Sequence, residues 1–293
     1  MMKKKTVVSS LLLFLAACIW GIAFVAQSVG MDYMGPFTFN GARFLIGGTV
    51  LLPIIFIRRR QKIHSSGMAL KGGICCGLAI CAASLFQQMG IQYTTVGKAG
   101  FITTLYIILV PLSGLFLRRK VAGRVWAAAA AAAVGMYLLC MTEGFSVGKG
   151  DALVFVCAVL FTVHILVIDF FSPKADGVAI SCIQFYTAGI LCTVGAVLAE
   201  QPSWGQLAQG IVPVLYAGVM SCGVAYTLQI IGQKELDPSV ASLILSMESV
   251  VSVLAGWLIL GQALTARELA GCAIVFAAVI FVQLRPGEST AEG

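Results

Sequence analysis

Three ionisable side chains stand inside long apolar stretches of this 293-residue chain: Arg43, His164 and Glu248. An ionisable group at membrane depth is costly and by default marks an ion or solute pathway. Glu248 lies about ten residues into its stretch, ~15 Å at 1.5 Å per residue, near the middle of a bilayer core. A carboxylate there can carry a proton, bind a cationic group of a solute, or bond to a neighbouring helix. Arg43 lies about seven residues into its own stretch, ~10 Å deep on the same rise. Its guanidinium stays charged and its planar fork of donors fits a carboxylate. It can hold an acid group of a solute, pair with Glu248, or bond helix-end carbonyls and fix packing. His164 is of a type that titrates near neutral pH in water, and it serves equally as a hydrogen-bond link between helices.

Around these three, Trp20, Tyr106, Gln87 and Gln229 are candidate lining residues, because aromatic walls with a few polar groups suit a small organic ligand. Packing is the alternative for each. Small and hydroxyl residues mark helix faces that meet other helices or a cavity. Gly100, Thr103, Thr104, Pro111 and Gly114 recur at near-helical spacing in one stretch; Ser242, Ser246, Ser249, Ser252 and Gly256 do so in another, with Glu248 at its edge. Both stripes are expected to line the centre, with tight packing without a cavity as the alternative.

The elements that must hold these groups are apolar helices. Hydrophobic residues make up 59% of the chain and charged ones 11%, against roughly 25% charged in a soluble domain. The apolar runs are long enough to cross a bilayer, which takes about 20 helical residues. Ten spans are expected: 6–28, 36–57, 68–91, 99–117, 125–141, 152–168, 178–199, 208–232, 239–260 and 269–284. No span alternates apolar with polar residues, which excludes a β-barrel. The net charge of +7 does not point to nucleic acid, because its placement is that of a membrane protein. With the N-terminus in the cytoplasm and sides alternating, only Lys98, Lys149 and Arg267 of the 19 Lys and Arg fall on the far side, and Arg43 falls within a span. That positive-inside bias places both termini in the cytoplasm and requires an even number of spans.

Other chemistries find no support. The ten cysteines include no Cys-x-x-Cys pair and read as small apolar packing residues. Lys3, Lys4, Lys5 and the stretch ending at Cys18 are similar to a lipoprotein signal, but the apolar run continues through Trp20, Ile22, Phe24 and Val25. Gly148-Lys149 lacks the rest of a nucleotide-binding loop, so no nucleotide is expected to drive the protein directly. Gly144-Phe145-Ser146-Val147-Gly148 matches a hydrolase nucleophile motif, yet it falls in a short loop without the strand that the motif needs. Its glycines are those of a turn. No metal-ligand spacing occurs, and no cofactor or enzymatic activity is expected.

The chain divides into five spans and five more, residues 1–148 and 149–293. Shifted by 142 residues, Gln87 and Gly90 fall on Gln229 and Gly232, Ala99 on Ala241, Ile102 on Ile244 and Gly114 on Gly256. At a shift of 141, Arg43-Phe44 falls on Gln184-Phe185 and Ala23 on His164. Five being odd, the halves enter the membrane from opposite sides. The expected architecture is an all-α membrane protein of ten transmembrane helices in two inverted five-helix repeats, a plan that underlies many secondary transporters. An intramembrane enzyme or a membrane scaffold without transport is the alternative.

Trp20-Gly21, Arg43-Phe44, the segment from Lys98 to Tyr106 leading to Val110-Pro111, Ala241-Ser242-Leu243 leading to Met247-Glu248, Leu260-Gly261 and Gly271 together resemble the EamA family of the drug/metabolite transporter superfamily. The resemblance covers nearly the whole chain. It implies ten helices around a central cavity in the cell membrane, cytoplasmic termini, and export of a small organic solute such as a metabolite, amino acid or drug. Energy would come from an ion gradient, protons included, or from the solute's own. The chain departs from the family where Glu248-Ser249 replaces Glu-Pro and Gly261-Gln262 replaces Gly-Glu, so roles tied to that proline or second glutamate do not carry over.

Overall fold

The computed structural model of the protein describes residues 2–59, 66–94, 96–119, 121–140, 148–260 and 265–284. The hydrolase-like motif from Gly144 and the Gly261-Gln262 pair lie outside or at the edge of these residues, with only Gly148 inside. Every element among the described residues is helical. In chain order they are α1 (Met2–Gly30), α2 (Pro36–Arg59), α3 (Ser66–Ile91), α4 (Val96–Thr103), α5 (Tyr106–Phe116), α6 (Gly123–Cys140), α7 (Lys149–Phe171), α8 (Gly177–Ala199), α9 (Trp204–Gln209) and α10 (Ile211–Leu215). A π-helical segment (Tyr216–Tyr226) follows, then α11 (Thr227–Gln233), α12 (Pro238–Leu245), α13 (Met247–Leu260) and α14 (Ala266–Leu284).

Eight stretches among the described residues are long and apolar enough to cross a membrane, from 18 to 26 residues each. The protein is therefore a multi-pass membrane protein. The helix expected at 125–141 provides a shorter apolar stretch, Gly123–Leu138, and α14 lies along it. The span expected at 152–168 is longer than the hydropathy pattern suggests, Lys149–Phe171. Asp151 Oδ2 accepts from the Gly148 backbone N–H at 2.9 Å, satisfying a free helix-start donor and extending the helix past its apolar run.

Carboxylates also fix other helix starts. Asp176 accepts from Ala179 N and Asp237 from Ser239 N. Glu200, at the end of α8, accepts from Phe37 N at 2.8 Å, Thr38 N at 2.7 Å and Thr38 Oγ1 at 2.8 Å. It thus caps the start of α2 across the two halves, where the helix dipole favours an anion.

The packing repeats itself with roles exchanged. α2 lies along α8 and α6 along α14; α3 packs on α7 and α8, while the run from α10 through α11 packs on α1 and α2; α1 packs on α13, and α7 on α4 and α5. Small residues permit these approaches. A Cβ on Gly77 would lie 2.6 Å from Thr187 Cβ and 2.8 Å from the Gln184 carbonyl oxygen.

Two helices are broken at the middle. α4 gives way to α5 at Thr104 and Leu105, and α12 to α13 at Ser246, 142 residues on from Thr104. At each break a hydroxyl bonds back to a carbonyl of the preceding turn: Thr104 Oγ1 to Gly100 O at 2.9 Å and Ser246 Oγ to Leu243 O at 2.7 Å, a contact that bends helices. α12 packs on α5 and α13 on α4. The broken helices therefore cross antiparallel.

Candidate solute-binding site

The crossing brings together side chains from the helix starts that follow the two breaks. Tyr106 opens α5 and Glu248 lies in the first turn of α13. The Tyr106 hydroxyl donates to Glu248 Oε1 at 2.9 Å, across 142 residues of sequence. The next residue, Ser249, donates its Oγ hydroxyl to Thr104 Oγ1 at 3.2 Å. Ser249 thus supplies a hydroxyl that ties α13 to the break between α4 and α5.

Beside this crossing is a small cavity, about 30 Å³ of which is open to a water-sized molecule. Seven of the ten residues singled out by sequence line it: Trp20, Arg43, Gln87, Thr103, Tyr106, Gln229 and Glu248. They come from α1, α2, α3, α4, α5, α11 and α13 and so from both halves. The rest of the wall is Phe24, Gln27, Phe161, Ile165, Ser221, Tyr226 and Leu245. Trp20 packs on Tyr226 with ring centroids 4.5 Å apart. Gln87 Nε2 donates to Thr103 Oγ1 at 3.3 Å, and Gln229 Nε2 faces Gln233 Oε1 at 3.5 Å, at the outer limit of a hydrogen bond.

Three candidates stand elsewhere. His164 is fully buried, within hydrogen-bond reach of Gln184 Oε1 at 3.1 Å and edge-on to the Tyr226 ring at 5.9 Å; it backs a wall residue and is no part of the wall. Ser242 and Ser246 turn their hydroxyls to their own helix, bonding Ser239 O at 2.9 Å and Leu243 O at 2.7 Å. Of the two small-residue stripes, only Thr103 reaches the cavity. Thr104, Ser242, Ser246 and Ser252 bond backbone carbonyls of their own helices instead, as a hydroxyl in an apolar surround does when one is in reach.

Sequence reasoning missed half the wall. Gln27 falls at the end of an apolar run, where a polar residue is ordinary. Tyr226 and Ser221 owe their places to the π-helical segment, whose register a periodicity of 3.6 does not reveal. Such segments recur at functional sites. The close approach of α2 to it depends on glycine: a Cβ on Gly218 would lie 2.7 Å from Ile46 Cγ2 and 3.1 Å from the Arg43 carbonyl oxygen.

Arg43 and Glu248 do not pair with each other. Arg43 Nη1 donates to Gln27 Oε1 at 3.0 Å, and its Cζ lies 4.9 Å from the Phe44 ring centroid and 5.6 Å from that of Phe39. Phe44 in turn stacks on Phe185 at 5.9 Å, a second contact between positions that the sequence shift makes equivalent. Among the described residues no group of three His, Cys, Asp or Glu side chains could hold a metal ion.

A bundle of helices long and apolar enough to cross a membrane, around a partly polar cavity, defines a multi-pass membrane protein. The sequence model of the EamA-like transporter family matches residues 8–141 and again 148–284. The chain belongs to this family and is a membrane transporter. It is 31% identical over 287 residues to an uncharacterized transporter of Archaeoglobus fulgidus, covering 96% of this chain and 87% of that one. It is 22% identical over 264 residues to the uncharacterized transporter YoaV of Bacillus subtilis, covering 88% and 90%. A solved crystal structure shares the fold with a TM-score of 0.79 over 94% of this chain and 96% of that one, at 19% identity.

Proposed function

We propose that the protein is a secondary transporter that exports a small organic solute by alternating access. Its ten spans form two inverted five-helix repeats, residues 1–148 and 149–293, around one central site, with both termini in the cytoplasm and the chain in the cell membrane. The observation that carries this reading is the Tyr106–Glu248 bond at the antiparallel crossing of two broken helices. In an inverted repeat, equivalent residues meet where the pseudo-two-fold axis passes, and discontinuous helices near the bilayer midplane are where such transporters place solute and ion sites. The stacked Phe44–Phe185 pair and the exchanged helix contacts support the same axis.

Within this reading Glu248 carries a proton or engages a donor group of the solute. Tyr106 holds one carboxylate oxygen, and Trp20 and Tyr226 form the aromatic wall. The test is solute-dependent flux in proteoliposomes against a broad panel of amino acids, organic acids, nucleosides and cationic drugs. The expected result is saturable flux of one class. Folded protein with no flux of any class would overturn the reading.

A further inference from the structure

The cavity wall leaves a charged group unsatisfied. Arg43 is 2% exposed, yet its Nε and Nη2 have no hydrogen-bond partner. Its single hydrogen bond runs through Nη1 to Gln27. The Phe39 and Phe44 rings attract the cation without supplying a counter-charge, and among the described residues no carboxylate pairs with it. A buried charge without a partner is strongly unfavourable. Arg43 Nε and Nη2 form one edge of the guanidinium plane, and two donors on one edge make the parallel bonds that a carboxylate accepts. The Gln27 bond on Nη1 holds that edge in a fixed orientation. A further buried donor of the same cavity, Trp20 Nε1, is also without a partner. A phosphate would bring up to two negative charges to a wall in which Arg43 is the one Lys or Arg side chain. A carboxylate matches the single cation, since the wall's own carboxylate, Glu248, bonds Tyr106 and leaves Arg43 unpaired.

We propose that the cavity recognises its solute through a carboxylate seated on the Nε–Nη2 edge of Arg43, so that organic acids and zwitterions are selected over analogues in which the carboxylate is replaced by an amide. Gln27 is the positioning residue. The inference rests on the transporter reading for the site's purpose, but its chemistry is separable from transport. A carboxylate completes the donors of Arg43, whereas an amide or ester analogue leaves the cation uncompensated. That loss is large because an unpaired polar group in a dry site keeps its full desolvation penalty.

The experiment is thermal stabilisation of the purified, lipid-embedded protein by matched pairs: leucine with leucinamide, phenylacetate with phenylacetamide, isovalerate with isovaleramide. At least one carboxylate is expected to stabilise the protein at concentrations about tenfold or more below its amide, since one bidentate charged contact is worth at least that factor. Arg43→Gln places in the first half the residue found at the equivalent position of the second, and is expected to abolish the preference. Arg43→Lys keeps the charge without the fork and is expected to retain only part of it. If Arg43 variants fail to fold, Trp20→Phe removes one donor while keeping the ring, and is expected to weaken carboxylate binding severalfold. Equal stabilisation by acids and amides, an acid preference that survives in Arg43→Gln, or no stabilisation by any carboxylate of the panel overturns the proposal. Proteoliposome flux separates the two ideas. Transport of an amide or a cation but no carboxylate sinks this inference and leaves the transporter; carboxylate binding without flux of any solute does the reverse.

Discussion

Two polar ties start from equivalent positions of the two halves and behave differently. In the first half Arg43 reaches Gln27, joining α2 to α1. In the second Gln184, which the sequence shift places on Arg43, reaches His164 and joins α8 to α7. Each tie leaves polar atoms unpartnered: Nε and Nη2 on Arg43, Nδ1 on His164 and Nε2 on Gln184. The difference lies in charge and place. The first tie carries the Arg43 guanidinium and lines the cavity; the second joins an imidazole to an amide and stands behind the Tyr226 ring. A neutral orphan costs about 1–3 kcal/mol, a tolerable loss, whereas an uncompensated buried charge persists only where something intermittently compensates it. The halves therefore share a frame and divide the chemistry. The first contributes the cation Arg43, the second the carboxylate Glu248, and the equivalents Gln184 and Tyr106 carry neither charge.

The sharpest way to break this contrast is to put the charge in the wrong half. Gln184→Arg buries a cation with no cavity beside it and is expected to destabilise the protein by about 3–5 kcal/mol, the range for an unpaired buried charge. Thermal unfolding reads it, and a variant as stable as the parent would show that the second site is not sealed. Next in size is Gly77→Val at the α3–α8 contact. The Thr187 side chain and the Gln184 backbone leave its Cβ no room, so overpacking of about 1–3 kcal/mol is expected. Ser249→Ala removes the hydroxyl bond from α13 to the break between α4 and α5. Interhelical bonds of this kind contribute roughly 0.6 kcal/mol on average, so a small drop in melting temperature is expected; a drop comparable to that of Gly77→Val would assign the break a larger structural part. The smallest effect is expected for His164→Gln. Flux should stay within about twofold of the parent, because the replacement keeps a polar partner for Gln184 at a site outside the cavity. A tenfold loss would move the functional centre toward the second tie.

The frame was legible because a bilayer leaves few options. Apolar runs of about 20 residues become helices, and the segments expected at 36–57 and 178–199 are found at Pro36–Ile57 and Gly177–Ala199. The candidate site was partly legible for a related reason. Arg43 and Glu248 stand out against an apolar background, and so do Gln87 and Gln229. Hydropathy does not register a break that keeps its surroundings apolar. Leu105 in the first break and Leu245 before the second are as apolar as the residues of an unbroken turn, and hydroxyl back-bonding at Thr104 and Ser246 accompanies the change. The same hydroxyls that read as cavity lining, Ser242 and Ser246, serve their own helix. Register in the π-helical segment depends on where α2 can approach it, so Ser221 and Tyr226 became site residues through packing with distant sequence.

The central claim, that the cavity at the crossing of the broken helices is the solute pathway, is tested most directly by solute flux in proteoliposomes bearing Glu248→Gln beside the parent. The substitution keeps the shape and an acceptor for Tyr106 but removes the carboxylate. Flux at least about tenfold lower, equivalent to a loss of about 1.4 kcal/mol or more, with unfolding temperature retained, is the predicted result. Flux of unchanged rate and unchanged pH dependence would contradict it.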